Sequence, residues 1–184
     1  LHLCDRRQRQ MCIRDRDIVA GEGRVGNEAG GNGLETTQLS NFTATSDNSG
    51  AKELWRGPWA GISRTNWILT NIDKSPKISD AKKTQYKGEA HFLRGLYYFN
   101  LVRLFGDVPW IDKQQTASDD LQVSRTSKDI VYQHIIDDFS DAASMLPAVY
   151  ENTTDIGRAT KGAAFGLLAK VYLTLKRYLS LIHI

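Results

Sequence analysis

Three kinds of side chain in this sequence could do chemistry, and the spacing of each can be judged. His91 and His134 are the histidines away from the chain ends, Asp137, Asp138 and Asp141 form a carboxylate cluster, and Trp55, Trp59, Trp67 and Trp110 offer indole faces. Helical spacing puts Asp137 and Asp141 on one face, but no histidine or cysteine joins them at a metal-ligand interval, so a solvated helix face is the stronger reading. Nothing in the sequence pairs His91 with an acid and a nucleophile, which makes it a partly buried structural histidine rather than a general base. There is no serine nucleophile elbow, P-loop or paired-carboxylate motif. A literal G-x-G-x-x-G at Gly21, Gly23 and Gly26 runs into NEAGGNG, which cannot open the helix a pyrophosphate site needs. The expectation is a non-enzymatic protein with no metal and no cofactor.

Binding is better supplied than catalysis. Indole faces stack on sugar C–H surfaces and on peptide side chains. Trp55 and Trp59 fall on the apolar stripe of a helix, so packing is their first role. Trp67 lies off that stripe and Trp110 just past a helix stop, which leaves these two as the better candidates for exposed work, with packing or loop anchoring an equal alternative for each.

The element that must position them is the stretch from Asp80 to Trp110. Tyr86, Ala90, Leu93, Tyr97, Leu101 and Leu104 step by four and three, as one face of a helix does. Phe92, Leu96 and Phe99 make a second stripe, and a helix with two stripes is packed from two sides. Ala81, Gly88 and Gly95 recur every seven positions on a third line, where a neighbouring backbone can come close. Ser79 is placed to cap the start, Asp80 meets the helix dipole, and Gly106 with Pro109 supplies the stop. A helix over 80–105 spans roughly 39 Å.

Three more helices follow from the same periodicity. Over 51–74, Trp55, Trp59, Ile62, Asn66, Leu69 and Ile72 form a face, with Pro58 expected to start or kink it. Asn66 on that face calls for a hydrogen bond between packed helices. Over 127–146 the buried stripe is Val131, Ile135, Phe139, Ala142 and Leu146, capped by Thr126 or Ser127. Over 158–178, Ala164, Leu168, Val171 and Leu175 face one way, while Ala159, Gly162, Gly166 and Ala169 make a small-residue face suited to tight contact. Paired as 51–74 with 80–105 and 127–146 with 158–178, these are units of a solenoid, each burying its face on the next. The fold class is all-α, a tetratricopeptide-like helical repeat with a long N-terminal loop region.

The 184 residues suffice for one ordinary domain, and 41% hydrophobic with 24% charged residues is a globular composition. The formal charge of +3 is confined to residues 1–16, which carry five arginines against two aspartates; from Asp17 onward acidic and basic side chains balance. A phosphate-binding surface therefore has no basic patch to use, and no nucleic-acid partner is expected. Cys4 and Cys12 lie in the same head. The head 1–16 and the tail 179–184 look like translated sequencing-adapter sequence and are set aside as non-native ends. Residues 17–50 are a polar, glycine-rich loop region, and 51–178 is the helical-repeat region.

Two stretches of wording carry a resemblance. The run from Gly88 through Phe-Gly-Asp-Val-Pro109, and the run from Gly157 through Lys-Val-Tyr-Leu173, both closely resemble the nutrient-binding lipoproteins of the SusD/RagB family, in the same order. That resemblance implies a mostly helical, non-enzymatic protein held at the outer-membrane surface by an N-terminal lipid anchor that this chain lacks. It implies a SusC-like TonB-dependent transporter as partner and a glycan or other oligomeric nutrient as ligand. In such proteins loops ahead of the first helix contribute to the ligand site, which here points to Arg24, Asn27, Glu28 and Asn32, with Trp67 as the nearest off-stripe aromatic. The alternative from another class is a helical-repeat adaptor that binds peptides or proteins in a concave groove.

Overall fold

The computed structural model describes residues 37–38, 41–116, 118–119 and 122–181. Arg24, Asn27, Glu28 and Asn32, the G-x-G-x-x-G and the arginine-rich head lie outside the described residues. The chain is all-α: α1 is Ser49–Asn71, α2 Asp80–Phe105, α3 Lys128–Met145, α4 Lys161–Thr174 and α5 Tyr178–Leu181, with 3-10 turns at Ile72–Lys74 and Thr153–Asp155. No strand forms among the described residues, although Val108 and Thr126 make an isolated antiparallel bridge.

The chain divides after Gly57 into two compact units. In the described part of the first, Asn48 is buried; its Oδ1 accepts the Ala51 N–H at 3.2 Å while its Nδ2 donates to Gln38 Oε1 at 2.8 Å. That side chain caps α1, as an asparagine at this position does well. The helix then runs on through Pro58, which neither starts nor ends it. With the cap already set upstream, an interior proline costs one intrahelical hydrogen bond but does not have to be the first residue.

In the second unit α2 is packed from two sides, as its two stripes require. Towards α1, Trp59 meets Tyr98 edge-on at 5.9 Å, and a Cβ added to Gly61 would fall on the Tyr97 ring. Towards α3, a Cβ at Gly88 would stand 2.9 Å from Met145 Cβ, and one at Gly95 3.2 Å from the Phe139 ring. Residue 88 thus faces 145 while residue 95 faces 139, so α2 and α3 run antiparallel. The glycine line of α2 is the seam that lets α3 approach. Tyr98, Phe99, Leu101, Val131, Ile135 and Phe139 are wholly buried there. A further cluster of Ala142, Ala143, Leu146 and Ala164 joins α3 to α4.

Several termini differ from the sequence expectation, each for a local reason. Ser79 and Ser127 hold the N-cap positions of α2 and α3 but neither side chain makes a capping bond. For α3 the work passes to Asp107, whose Oδ1 accepts the Lys128 N–H at 2.8 Å. Gly106 ends α2 at φ 71°, in the left-handed region that glycine enters without strain. The fourth helix begins at Lys161, not Arg158, because Thr160 accepts the Ala163 N–H at 3.2 Å. Arg158 is used elsewhere: its guanidinium holds both Glu89 oxygens at 2.8 Å, tying the preceding loop to α2. The small-residue face of α4 also departs from expectation. Among the described residues, nothing lies within 4 Å of a Cβ at Gly166, and one at Gly162 meets only the Thr160 hydroxyl at 4.0 Å.

Candidate functional site

The polar residues that the helices bring together surround the segment after α2. Arg94, on the inner side of α2, donates from Nε to Asp138 Oδ2 at 2.9 Å and from Nη2 to Oδ1 at 2.7 Å. Its Nη1 donates to Asn66 Oδ1 at 3.0 Å and to the Asp112 carbonyl at 3.1 Å. His91 Nδ1 lies 2.8 Å from Asp138 Oδ1, one turn of α2 earlier. Asn66, fully buried, donates from Nδ2 to the carbonyls of Ile111 at 2.8 Å and Lys113 at 3.3 Å. The Tyr98 hydroxyl accepts from the Ile111 N–H at 2.8 Å and donates to its carbonyl at 3.2 Å. Burial pushes that hydroxyl well above the ordinary tyrosine range.

This corrects two sequence expectations and decides a third that was open. His91 does have an acid, Asp138, though it lies 47 positions away. Asp138 does not belong to a solvated face: Asp137 and Asp141 are exposed, but Asp138 is 3% exposed and ion-paired. Trp110 is a packed ring, stacked on His134 at 4.3 Å and 11°, against Tyr98 at 4.2 Å, with the Arg94 guanidinium 5.4 Å from its centre. Asn66 bonds to a neighbouring helix through Arg94 as expected, and also to a loop backbone that the helical pattern could not show.

Chemically the arrangement is a clamp. A His–Asp pair orients a base when a nucleophile sits on its other side, but no hydroxyl or thiol bonds His91 among the described residues, and Arg94 takes both carboxylate oxygens. Nor, among the described residues, do three or more His, Cys, Asp or Glu side chains gather where they could hold a metal.

What the clamp holds is the backbone of 111–113, and that fixes Gln114 next to α1. Gln114 Oε1 accepts from Asn71 Nδ2 at 2.9 Å, and the same Nδ2 donates to the Trp67 carbonyl at 2.9 Å. Lys74 Nζ donates to Asn71 Oδ1 at 3.0 Å. Four positions before Asn71 on the same helix, the Trp67 side chain stands 55% exposed, with no ring contact among the described residues. Of the residues expected at a ligand site it is the one the structure describes. Asn71 and Gln114 were missed by sequence reasoning; the i, i+4 spacing of Trp67 and Asn71 was visible, the arrival of Gln114 was not. A separate groove of about 600 Å³ opens between α3, α4 and α5, bounded by Ser140, Ser144, Lys161, Phe165, Tyr172 and Ser180.

Residues 22–173 match the SusD-like family described as starch-binding and associating with the outer membrane. The chain belongs to this family. A SusD-like protein of Formosa agariphila is 34% identical over 140 residues, which is 74% of this chain and 26% of the relative. A SusD-like protein of Bacteroides fragilis superposes with a TM-score of 0.73 at 32% identity, over 79% of this chain and 28% of the other. A laminarin-binding SusD-like protein superposes with a TM-score of 0.82 at 26% identity, over 94% of this chain and 39% of the other. The chain thus spans about a quarter of the length of the SusD-like relative from Formosa agariphila. In SusD-like terms, the Phe-Gly-Asp-Val-Pro exit acquires a physical meaning here: Gly106 turns the chain, Asp107 caps α3, and Val108 is buried in the bridge to Thr126.

Proposed function

We propose that the protein of which this SusD-like chain forms part binds oligosaccharide at the outer-membrane surface without chemically altering it and passes it to a SusC-like TonB-dependent transporter. Membership of a family described as starch-binding and associating with the outer membrane carries this reading. A relative of the same fold described as laminarin-binding supports it. The exposed indole of Trp67, with the amide side chain of Asn71 four positions along the same helix, is the right chemistry for a sugar ring, whose C–H face stacks and whose hydroxyls need donors and acceptors. The proposed site comprises Trp67 and the loop side chains Arg24, Asn27, Glu28 and Asn32, on a helical-repeat region over 51–178. In this reading the attachment to the membrane is a lipid anchor; among the described residues no helix is long and apolar enough to cross a bilayer.

The test is affinity electrophoresis of the full-length protein in gels cast with starch, laminarin or xyloglucan. Retardation by at least one of the three, with unchanged polysaccharide chain length after incubation, is the expected outcome. Retardation by none, or shortening of the glycan, overturns the reading.

A further inference from the structure

The loop after α2 is held from beneath far more firmly than a surface connection needs. Loops ordinarily satisfy their backbone with water. Here the Ile111 N–H, and the carbonyls of Ile111, Asp112 and Lys113, are bonded by Tyr98, Asn66 and Arg94. Arg94 in turn is locked by Asp138, with two parallel charge-assisted bonds that fix its plane. The next residue out is Gln114. Its Oε1 is already committed to Asn71, so the amide plane is oriented, while its Nε2 has no partner among the described residues. A donor fixed in direction, bonded through Asn71 to the helix that carries an exposed indole four positions earlier, is what a sugar hydroxyl next to a stacked ring requires, at little ordering cost on binding.

We infer that Trp67, Asn71 and Gln114 form one sugar-contacting patch, and that Asn66 and Arg94 are positioning residues that set its geometry from the core. The inference rests on the glycan-binding reading above and adds to it the residues and the device that holds them. The indole takes the C–H face of a pyranose. The Gln114 Nε2–H donates to a hydroxyl on the same ring, and Asn71 keeps Gln114 in register with the indole. Arg94 and Asn66 touch no ligand; they decide where Gln114 stands.

Calorimetric titration of the full-length protein with laminarin, xyloglucan oligosaccharides and soluble starch tests the patch, with amide hydrogen exchange over 111–114 read in parallel. Trp67→Ala and Gln114→Ala should each weaken the bound glycan at least ten-fold with a melting temperature close to that of the parent. Asn66→Asp keeps the acceptor for Arg94 and removes the donor to the loop; it should speed exchange at 111–114 and weaken the same glycan. Should that variant not fold, Tyr98→Phe, which releases the Ile111 N–H, supplies the comparison. A parent protein that binds glycan while Trp67→Ala and Gln114→Ala bind equally well overturns the patch and leaves the glycan reading standing. Faster exchange with unchanged affinity overturns the positioning role. A parent that binds none of the three overturns both readings.

Discussion

Arg94 and Asp138, 44 positions apart, form a two-pronged ion pair at 2.9 and 2.7 Å in which both partners are almost completely buried. It joins the middle of α2 to the middle of α3, and it satisfies charges that could not otherwise stay inside. A buried pair of this kind contributes little over a well-packed apolar substitute, but losing one partner strands the other. Asp138→Leu alone should cost about 3–5 kcal/mol, whereas Arg94→Met with Asp138→Leu should be milder than the sum of the single changes. Urea midpoints of the four proteins in the cycle measure this.

Tyr98 gives the fold a limit on the alkaline side. Its hydroxyl is raised above the ordinary value of 10.0, chiefly by burial. Below that value the folded and unfolded chains are both protonated and the group is silent. Above it the unfolded hydroxyl ionises while the folded one does not, so stability falls, by up to about 1.4 kcal/mol per pH unit from this one group. Tyr98→Phe should show a shallower decline from pH 10 upward, checked by urea unfolding at a series of pH values.

Two glycines of similar appearance should respond oppositely to alanine. At Gly88 the new Cβ meets Met145 and Leu146 on α3 at 2.9 and 3.1 Å, so Gly88→Ala forces the helices apart. At Gly166 it meets nothing, and the helix gains roughly 0.5–1 kcal/mol of propensity. Thermal melts of this chain should therefore move down for Gly88→Ala and up for Gly166→Ala.

The start of α3 offers a direct test of where its cap resides. Asp107→Ala should cost about 1 kcal/mol, the usual loss of a capping side chain. Ser127→Ala should be nearly neutral, because the serine makes no capping bond. Circular dichroism during denaturation distinguishes the two.

Much of this architecture was legible in the residues, and the rest was hidden for definable reasons. The stripe of Val131, Ile135, Phe139, Ala142 and Leu146 is buried as its periodicity required, since burial follows from which face is apolar. The glycine line of α2 likewise marks a close approach. The two glycines of the corresponding line on α4 mark none among the described residues, although Ala159 at its start packs on the core, because periodicity says that a face is smooth and not what lies against it. Leu104, the last member of the α2 stripe, is 47% exposed, one residue before the helix ends. The Arg94, His91 and Asp138 cluster was not legible. It depends on the register of α2 against α3, and one turn of slip would have given each side chain a different partner. Gln114 was hidden for the same reason, since a loop residue acquires its neighbours from the helices that hold the loop. The exposure of Trp67 could be read because its position off the stripe is a property of one helix alone.

The bridge between Val108 and Thr126, together with Asp107 on Lys128, closes the connection between α2 and α3 at its base. Once the base is closed, the cost of lengthening what lies beyond it rises only with the logarithm of its length, about 0.6 kcal/mol for each doubling. Residues 110–114 are fastened separately to the core. Insertions after Gln115 and before Val123 should therefore leave both the helical pair and the fastened segment in place. The chain can change the reach of its exposed connection through evolution while spending almost nothing of the fold that carries it.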